Sequence, residues 1–236
     1  MTQISELSGR LNAVTRGISA ACLDVGRSDS DITLIVVTKF HPASLVRDLA
    51  ELGVRDVGEN RNQEAAAKAL ELRELNLTWH FIGQLQSNKA RAALEYTDVI
   101  HSIDRPSLVS ALDRAWNDRA EDAGDQTPIR GFIQLNLTTD PVRGGVALAD
   151  LVPFAEDMAA RPAFDVQGIM AVAPVDEDPN AAFERVALAS QRLQTVIPGA
   201  RFISAGMSHD YPQAIAHGAT HLRIGSAITG NRPPAG

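Results

Sequence analysis

Lys39 stands behind the apolar run Ile32–Val37, separated from it only by Thr38. An amine in that place is either the first solvated residue after a strand or a group partly desolvated at the strand's end. In the second case burial disfavours the ammonium form, and a neutral amine condenses with a carbonyl compound to a Schiff base. Far along the chain two segments share a pattern, Ser204-Ala205-Gly206-Met207-Ser208 and Arg223-Ile224-Gly225-Ser226-Ala227. Each sets Gly and Ser between a strand-like stretch and a helical one. Glycine lets a backbone approach a ligand closely, and free N–H groups at a helix start attract an anion. An amine and an anion cradle together suit a phosphorylated carbonyl compound.

These residues need elements to hold them. Ile4, Leu7, Leu11, Val14, Ile18, Cys22 and Val25 recur at spacings of three and four, which predicts an N-terminal helix. Strand-like pieces follow at 32–37, 55–57, 78–82, 99–103, 129–135, 164–170, 201–204 and 221–224, eight in all. Helical stretches are expected at 42–52, 61–73, 88–95, 106–121, 148–160, 181–197 and 211–217. Strict alternation implies parallel strands with crossover helices. The predicted fold is α/β, a single (β/α)8 TIM barrel with an extra N-terminal helix; a doubly wound sheet is the alternative. One domain is expected over 1–230 and a tail over 231–236. In such barrels the chemistry lies where strands end, and phosphate often sits after strands seven and eight, the two Gly-Ser positions.

Other candidates have plainer readings. Ser87 suits a helix cap. His80, inside a strand, is more often a satisfied core residue than a ligand. No second His or Cys stands at metal-ligand spacing, so no metal site is expected. Cys22 falls on the apolar stripe of the first helix and reads as a packing residue.

The chain has 236 residues, with 44% hydrophobic and 22% charged, an ordinary globular composition. The formal net charge of −7 argues against binding a nucleic-acid backbone by charge. A single cysteine suits a reducing compartment. The N-terminus carries Glu6 and Arg10 and lacks the apolar core of a signal peptide, and no stretch approaches the roughly 20 apolar residues of a membrane helix. A cytoplasmic protein with no membrane partner is expected, and a monomer.

Two classes fit an amine beside a phosphate cradle: a pyridoxal 5'-phosphate (PLP) protein and a class I aldolase acting on a sugar phosphate. A phosphate-binding barrel without covalent chemistry is a further reading.

Thr38-Lys39, Gly58-Glu59-Asn60, the block Trp79–Lys89, His101-Ser102-Ile103-Asp104, Gly168-Ile169-Met170-Ala171, Gly206-Met207-Ser208 and Arg223-Ile224-Gly225 resemble the PLP homeostasis protein family, in order, from about residue 10 to 230. That family is a single barrel similar to the N-terminal domain of bacterial alanine racemase. The resemblance implies that Lys39 carries PLP as a Schiff base. It implies that Ser204, Ser208, Gly225 and Ser226 hold the phosphate, that Met207 packs beside it, and that Arg223 faces the pyridine nitrogen. Asn60, His80 and Met170 would line the pocket. The sequence departs from the family pattern at Phe40, Arg61, Ser226 and Thr229.

A carrier is expected rather than a catalyst. Strong electron sinks pair the pyridinium with an acid, and a guanidinium accepts no proton. Alanine racemase has such an arginine too, so the sharper point is the second base, a tyrosine from a further domain in that enzyme. The chain's tyrosines are Tyr96 and Tyr211, neither placed as that base, and no second catalytic domain is expected. The predicted role is intracellular PLP storage, buffering or delivery to apo PLP-dependent enzymes. A low-activity PLP-dependent amino-acid racemase is the alternative. Lys68 and Lys89 are the remaining lysines, and Lys89 is the better candidate to assist release.

Overall fold

The computed structural model describes residues 3–140 and 143–230. The expected tail, 231–236, lies outside the described residues. Nine strands are present among these: β1 (Thr33–Val37), β2 (Asp56–Glu59), β3 (Thr78–Phe81), β4 (Val99–Ile103), β5 (Ile129–Asn136), β6 (Val146–Ala147), β7 (Phe164–Met170), β8 (Phe202–Ser204) and β9 (His221–Ile224). Eight of them form a ring in the order β4-β3-β2-β1-β9-β8-β7-β5, closed by pairing of β4 with β5. Every neighbouring pair is parallel. The fold is the predicted (β/α)8 barrel.

The reason lies in the strands' composition. Ile35 and Val36 are fully buried and point to opposite faces, so β1 is apolar on both sides. Such a strand needs helices outside and side chains inside. The helices α2 (Ala43–Glu51), α3 (Asn62–Glu71), α4 (Ala90–Leu94), α5 (Pro106–Ala123), α6 (Leu151–Ala159), α7 (Pro179–Gln194) and α8 (Tyr211–Ala216) make the crossovers. They bury Leu49, Leu108, Leu112, Leu151, Met158 and Leu193 against the sheet. At roughly 1.5–3 kcal/mol per buried aliphatic side chain, this layer is the main stabiliser of the ring.

The N-terminal helix α1 (Gln3–Asp24) has a definite place. It packs against α8 and the short α9 (Ser226–Thr229), and it borders a cavity with the end of α2. It therefore completes the outer ring between α8 and α2. Arg10 Nε donates to the Ile228 carbonyl at 2.6 Å, and Arg27 Nη1 donates to the Ile215 and Ala219 carbonyls at 2.9 and 2.8 Å. Cys22 is buried in this seam, the predicted packing role.

The structure corrects several boundaries. β2 runs on through Gly58 and Glu59 where an earlier end was expected, because Lys68 neutralises Glu59 inside the protein. β6 was not anticipated. Gly144 and Gly145, with φ of 66° and 108°, turn the chain so that Val146 pairs with Leu135. That turn delays the start of α6 to Leu151. α7 begins early, at Pro179, because the Asp178 carboxylate caps it by accepting from Asn180 N at 3.0 Å.

Candidate functional site

The register of the barrel gathers the predicted residues. Lys39 follows β1, and β1 lies between β2 and β9, with Val37 paired to Gly58 and Val36 to Ile224. Asn60 follows β2 and Gly225-Ser226 follow β9, so these residues flank Lys39. Next to β9 comes β8, which ends at Ser204 and leads into Met207 and Ser208. Beside it β7 ends at Met170, paired with Ser204. Adding His80 on β3, all ten candidate residues sit on six consecutive strands or just beyond their C-terminal ends.

Lys39 is half-buried. Among the described residues it has no ion-pair or hydrogen-bond partner, and its Nζ lies 6.0 Å from the centroid of the Phe40 ring. Lys68 is the opposite case. Its Nζ is buried and donates to Glu59 Oε1 at 2.7 Å, Glu64 Oε1 at 2.9 Å and the Thr38 carbonyl at 3.0 Å. Thr38 Oγ1 also donates to Glu59 Oε1, at 2.6 Å. Lys68 is thus a structural cation, committed to holding the backbone just before Lys39. Burial raises the Glu59 pKa from its ordinary value, although the Lys68 ammonium and its hydrogen bond pull the other way.

The next residue is held as firmly. Phe40 has φ of 68°, a left-handed conformation rare for an aromatic residue. Its N–H donates to Glu64 Oε1 at 2.7 Å, and its ring lies 4.8 Å from the Arg61 guanidinium. The Glu59–Lys68–Glu64 cluster therefore fixes the backbone on both sides of Lys39. Sequence reasoning missed this. The signal was faint, a Lys four residues after a Glu on a helix.

Asn60 is half-buried and its Oδ1 is buried without a hydrogen-bond partner among the described residues. It lines a cavity of about 660 Å3 together with Arg61, Gln84 and Lys89. Lys89 is half-buried there and, among the described residues, makes no ion pair. Met207 and Ser226 are exposed, while Ser208 and Gly225 are half-buried. Asp210 already occupies part of that turn, its Oδ1 accepting from Met207 N at 2.6 Å.

His80, Ser204, Met170 and Arg223 lie deeper. Met170 is buried against Val99 and Phe132. Arg223 is buried, donating from Nη1 to Ser204 Oγ at 2.6 Å and from Nη2 to the Ala171 carbonyl at 2.9 Å. Burial brings its pKa down to about 10. Ser204 is fully buried, so its hydroxyl stands apart from the exposed Gly-Ser turns. Its Oγ also meets His101 Nδ1 at 2.8 Å. His101 Nε2 meets His80 Nδ1 at 2.9 Å, and His80 Nε2 meets Asp56 Oδ1 at 2.9 Å. His80 is thereby satisfied at both ring nitrogens inside the barrel. His101 and Asp56 are the members of this run that sequence reasoning did not place at the site.

Neither tyrosine lines the cavity that Asn60 and Lys89 share. Tyr96 donates to Asn62 Oδ1 at 3.2 Å, and burial pushes its pKa up to about 12. Tyr211 packs on α1: a Cβ placed on Gly17 would lie 2.2 Å from its hydroxyl.

The family described as alanine racemase, N-terminal domain, matches residues 27–233. A protein of Escherichia coli strain K12 named pyridoxal phosphate homeostasis protein is 37% identical over 235 residues, covering 97% of this chain and 98% of its own. A protein of the same name from Mycobacterium tuberculosis is 36% identical over 243 residues, covering 97% and 93%. The structure of PipY from Synechococcus elongatus with PLP bound superimposes with a TM-score of 0.81 at 34% identity, over 95% of this chain and 100% of that one. Alanine racemase from Corynebacterium glutamicum shares the fold at a TM-score of 0.66 and 16% identity, with 62% of its chain covered. With a matching family pattern over most of its length and relatives above a third identical end to end, the chain belongs to the alanine racemase N-terminal domain family and, within it, to the pyridoxal phosphate homeostasis proteins.

Proposed function

We propose that this protein binds PLP on Lys39 and holds it reversibly, storing or delivering the cofactor rather than turning over amino acids. The observation that carries this reading is the contrast between the lysines. Lys68 is buried in ion pairs, whereas Lys39 is half-buried beside the Gly-Ser turns with no ion-pair or hydrogen-bond partner among the described residues. When bound, PLP supplies an aldehyde that condenses with an amine and a ring that withdraws electrons.

The residues present fit such a group. Asn60 offers an orphaned buried carbonyl oxygen beside Lys39. Ser208, Gly225 and Ser226 offer hydroxyls and backbone N–H groups suited to a phosphate, with Met207 beside them. Arg223 presents a buried guanidinium from β9, and Met170 stands at the end of β7. Ser204 and His80 serve the same end indirectly, since both are engaged with buried neighbours. The cluster around Lys68 keeps the Lys39 backbone in place. Lys89, on the cavity that Asn60 shares, is a second amine within the mouth and a candidate to assist release.

The positions of Tyr96 and Tyr211 support a carrier over a racemase. Racemisation needs a base on each face of the substrate's Cα, and both phenols are packed elsewhere. Delivery to apo PLP-dependent enzymes, a cytoplasmic location and a monomeric state belong to the same reading. Near-ultraviolet and visible absorbance tests it. Added PLP is expected to give a band that borohydride fixes and that Lys39→Ala abolishes. A protein that takes up no PLP overturns the proposal. Exchange of the α-proton of L-amino acids into deuterated water at a useful rate would favour the racemase.

A further inference from the structure

We infer that Asp56, His80 and His101 are positioning residues for Arg223, joined to it through Ser204 in a hydrogen-bond wire that runs in one direction. The inference rests on the reading that Arg223 faces the cofactor, and it extends the site to the opposite end of the barrel.

The direction follows from counting protons. A guanidinium has donors and no acceptor. Arg223 Nη1, 2.6 Å from Ser204 Oγ, must therefore donate to it. Ser204 has one proton, and its other partner is His101 Nδ1 at 2.8 Å. The Asp56 carboxylate at the other end only accepts, so with both rings neutral the Ser204 hydroxyl gives its proton to Nδ1 and His101 carries its own proton on Nε2. That N–H points at His80 Nδ1, 2.9 Å away, which must accept. His80 then carries its proton on Nε2 and donates it to the Asp56 carboxylate at 2.9 Å. Given an ionised Asp56 and neutral rings, each choice fixes the next, and both histidines are Nε2–H tautomers.

The electrostatics favour this arrangement. Every acceptor in the wire faces the cation Arg223, and every donor faces the anion Asp56. Among the described residues no carboxylate forms an ion pair with Arg223, so the aligned dipoles carry part of the compensation for its buried charge. His101 is fully buried, and its ring stacks on Phe132 at 4.5 Å between centroids. Burial holds its pKa well below the usual value, in keeping with a neutral ring.

The barrel gives the wire its reach. Asp56 is the first residue of β2, on the N-terminal side of the ring, while Lys39 lies beyond the C-terminal end of β1. His80, His101, Ser204 and Arg223, on β3, β4, β8 and β9, carry the wire across the barrel interior. Two consequences follow. The Ser204 hydroxyl proton is spent on His101 and does not serve a phosphate. A residue at the far end of the barrel helps to set where Arg223 stands.

The test has two arms. In the protein without PLP, long-range 1H–15N correlation of the histidine rings is expected to show His80 and His101 as neutral Nε2–H tautomers. An Nδ1–H or doubly protonated ring at either position overturns the wire. In the second arm PLP is titrated into Asp56→Leu and Asp56→Asn. Asp56→Leu is expected to weaken PLP binding about fivefold to tenfold, the effect of losing roughly one hydrogen bond, and to shift the absorbance maximum of bound PLP. Asp56→Asn retains an acceptor oxygen and is expected to restore both. Wild-type affinity and absorbance in Asp56→Leu overturn the positioning role. If Asp56→Leu does not fold, Ser204→Ala makes the same cut nearer Arg223, with the same expected loss and the same overturning result. Failure of the wild-type protein to take up PLP would sink the PLP reading and leave the tautomer result intact, so the two failures are distinct.

Discussion

Lys68 Nζ lies 2.7 Å from Glu59 Oε1, and both side chains are withdrawn from solvent at the foot of the Lys39 loop. One member of a buried pair cannot be removed cheaply, because the other is left as an uncompensated charge. Lys68→Met is expected to lower stability by about 3–5 kcal/mol. Lys68→Met combined with Glu59→Gln is expected to recover part of that loss. Urea unfolding of the PLP-free proteins checks both.

Lys39 itself should be dispensable for folding. It is half-buried and, among the described residues, has no ion-pair or hydrogen-bond partner. Lys39→Ala is expected to stay within about 0.5 kcal/mol of the parent in urea unfolding, while losing borohydride-fixed PLP completely. A large loss of stability would mean that the amine supports the fold.

Phe40 is strained by its left-handed backbone, with φ of 68°. Relief of about 1–2 kcal/mol is available to glycine there, and is offset by glycine's larger unfolded-state entropy and the lost ring contact with Arg61. Phe40→Gly is expected to change stability by less than about 1 kcal/mol. Phe40→Val, a β-branched residue in the same conformation, is expected to be clearly destabilising. Thermal melts of the two variants compare them directly.

Acid should weaken the fold through its buried histidines. Burial lowers His221 from 6.5 to about 4 and holds His101 well below 6.5. Between those values the unfolded chain binds more protons than the folded one. The contribution is therefore complete above about pH 6.5 and is lost as pH falls toward 4. For His221 the drop corresponds to at most about 3 kcal/mol. Glu59, whose pKa is raised, acts in the opposite sense at the acid end of this window. The urea midpoint is expected to fall from pH 7 to pH 4.5, and His221→Gln is expected to flatten that slope.

The seam between α1 and α8 offers a compensation test. A Cβ on Gly17 would lie 2.2 Å from the Tyr211 hydroxyl and 3.4 Å from Cζ. Gly17→Ala is expected to cost about 1–3 kcal/mol as an overpacked contact. In a Tyr211→Phe background the nearest atom is gone and the cost should largely vanish, which a double-mutant cycle measures.

Much of this protein was legible in its sequence, for local reasons. The apolar run Ile32–Val37 could only be a strand buried on both faces, and regular alternation with helices left few topologies besides a barrel. Lys39, Asn60 and the turns at Gly206-Met207-Ser208 and Gly225-Ser226 were readable because strand ends are where polar residues are not needed by the strand. β6 was not legible, since two residues paired through a double-glycine turn carry no periodicity.

Residue type and order determined the ring of strands and the places of Lys39 and the two Gly-Ser turns just beyond the strand ends. Tertiary structure alone decided that Lys39 has no ion-pair or hydrogen-bond partner among the described residues while Lys68 is locked between Glu59 and Glu64. It alone made one wire of Asp56, His80, His101, Ser204 and Arg223, residues drawn from five strands and as much as 167 positions apart. The physical reason is that a barrel interior is common space. Side chains from distant strands meet there, and their proton positions are set by one another rather than by any neighbour in sequence.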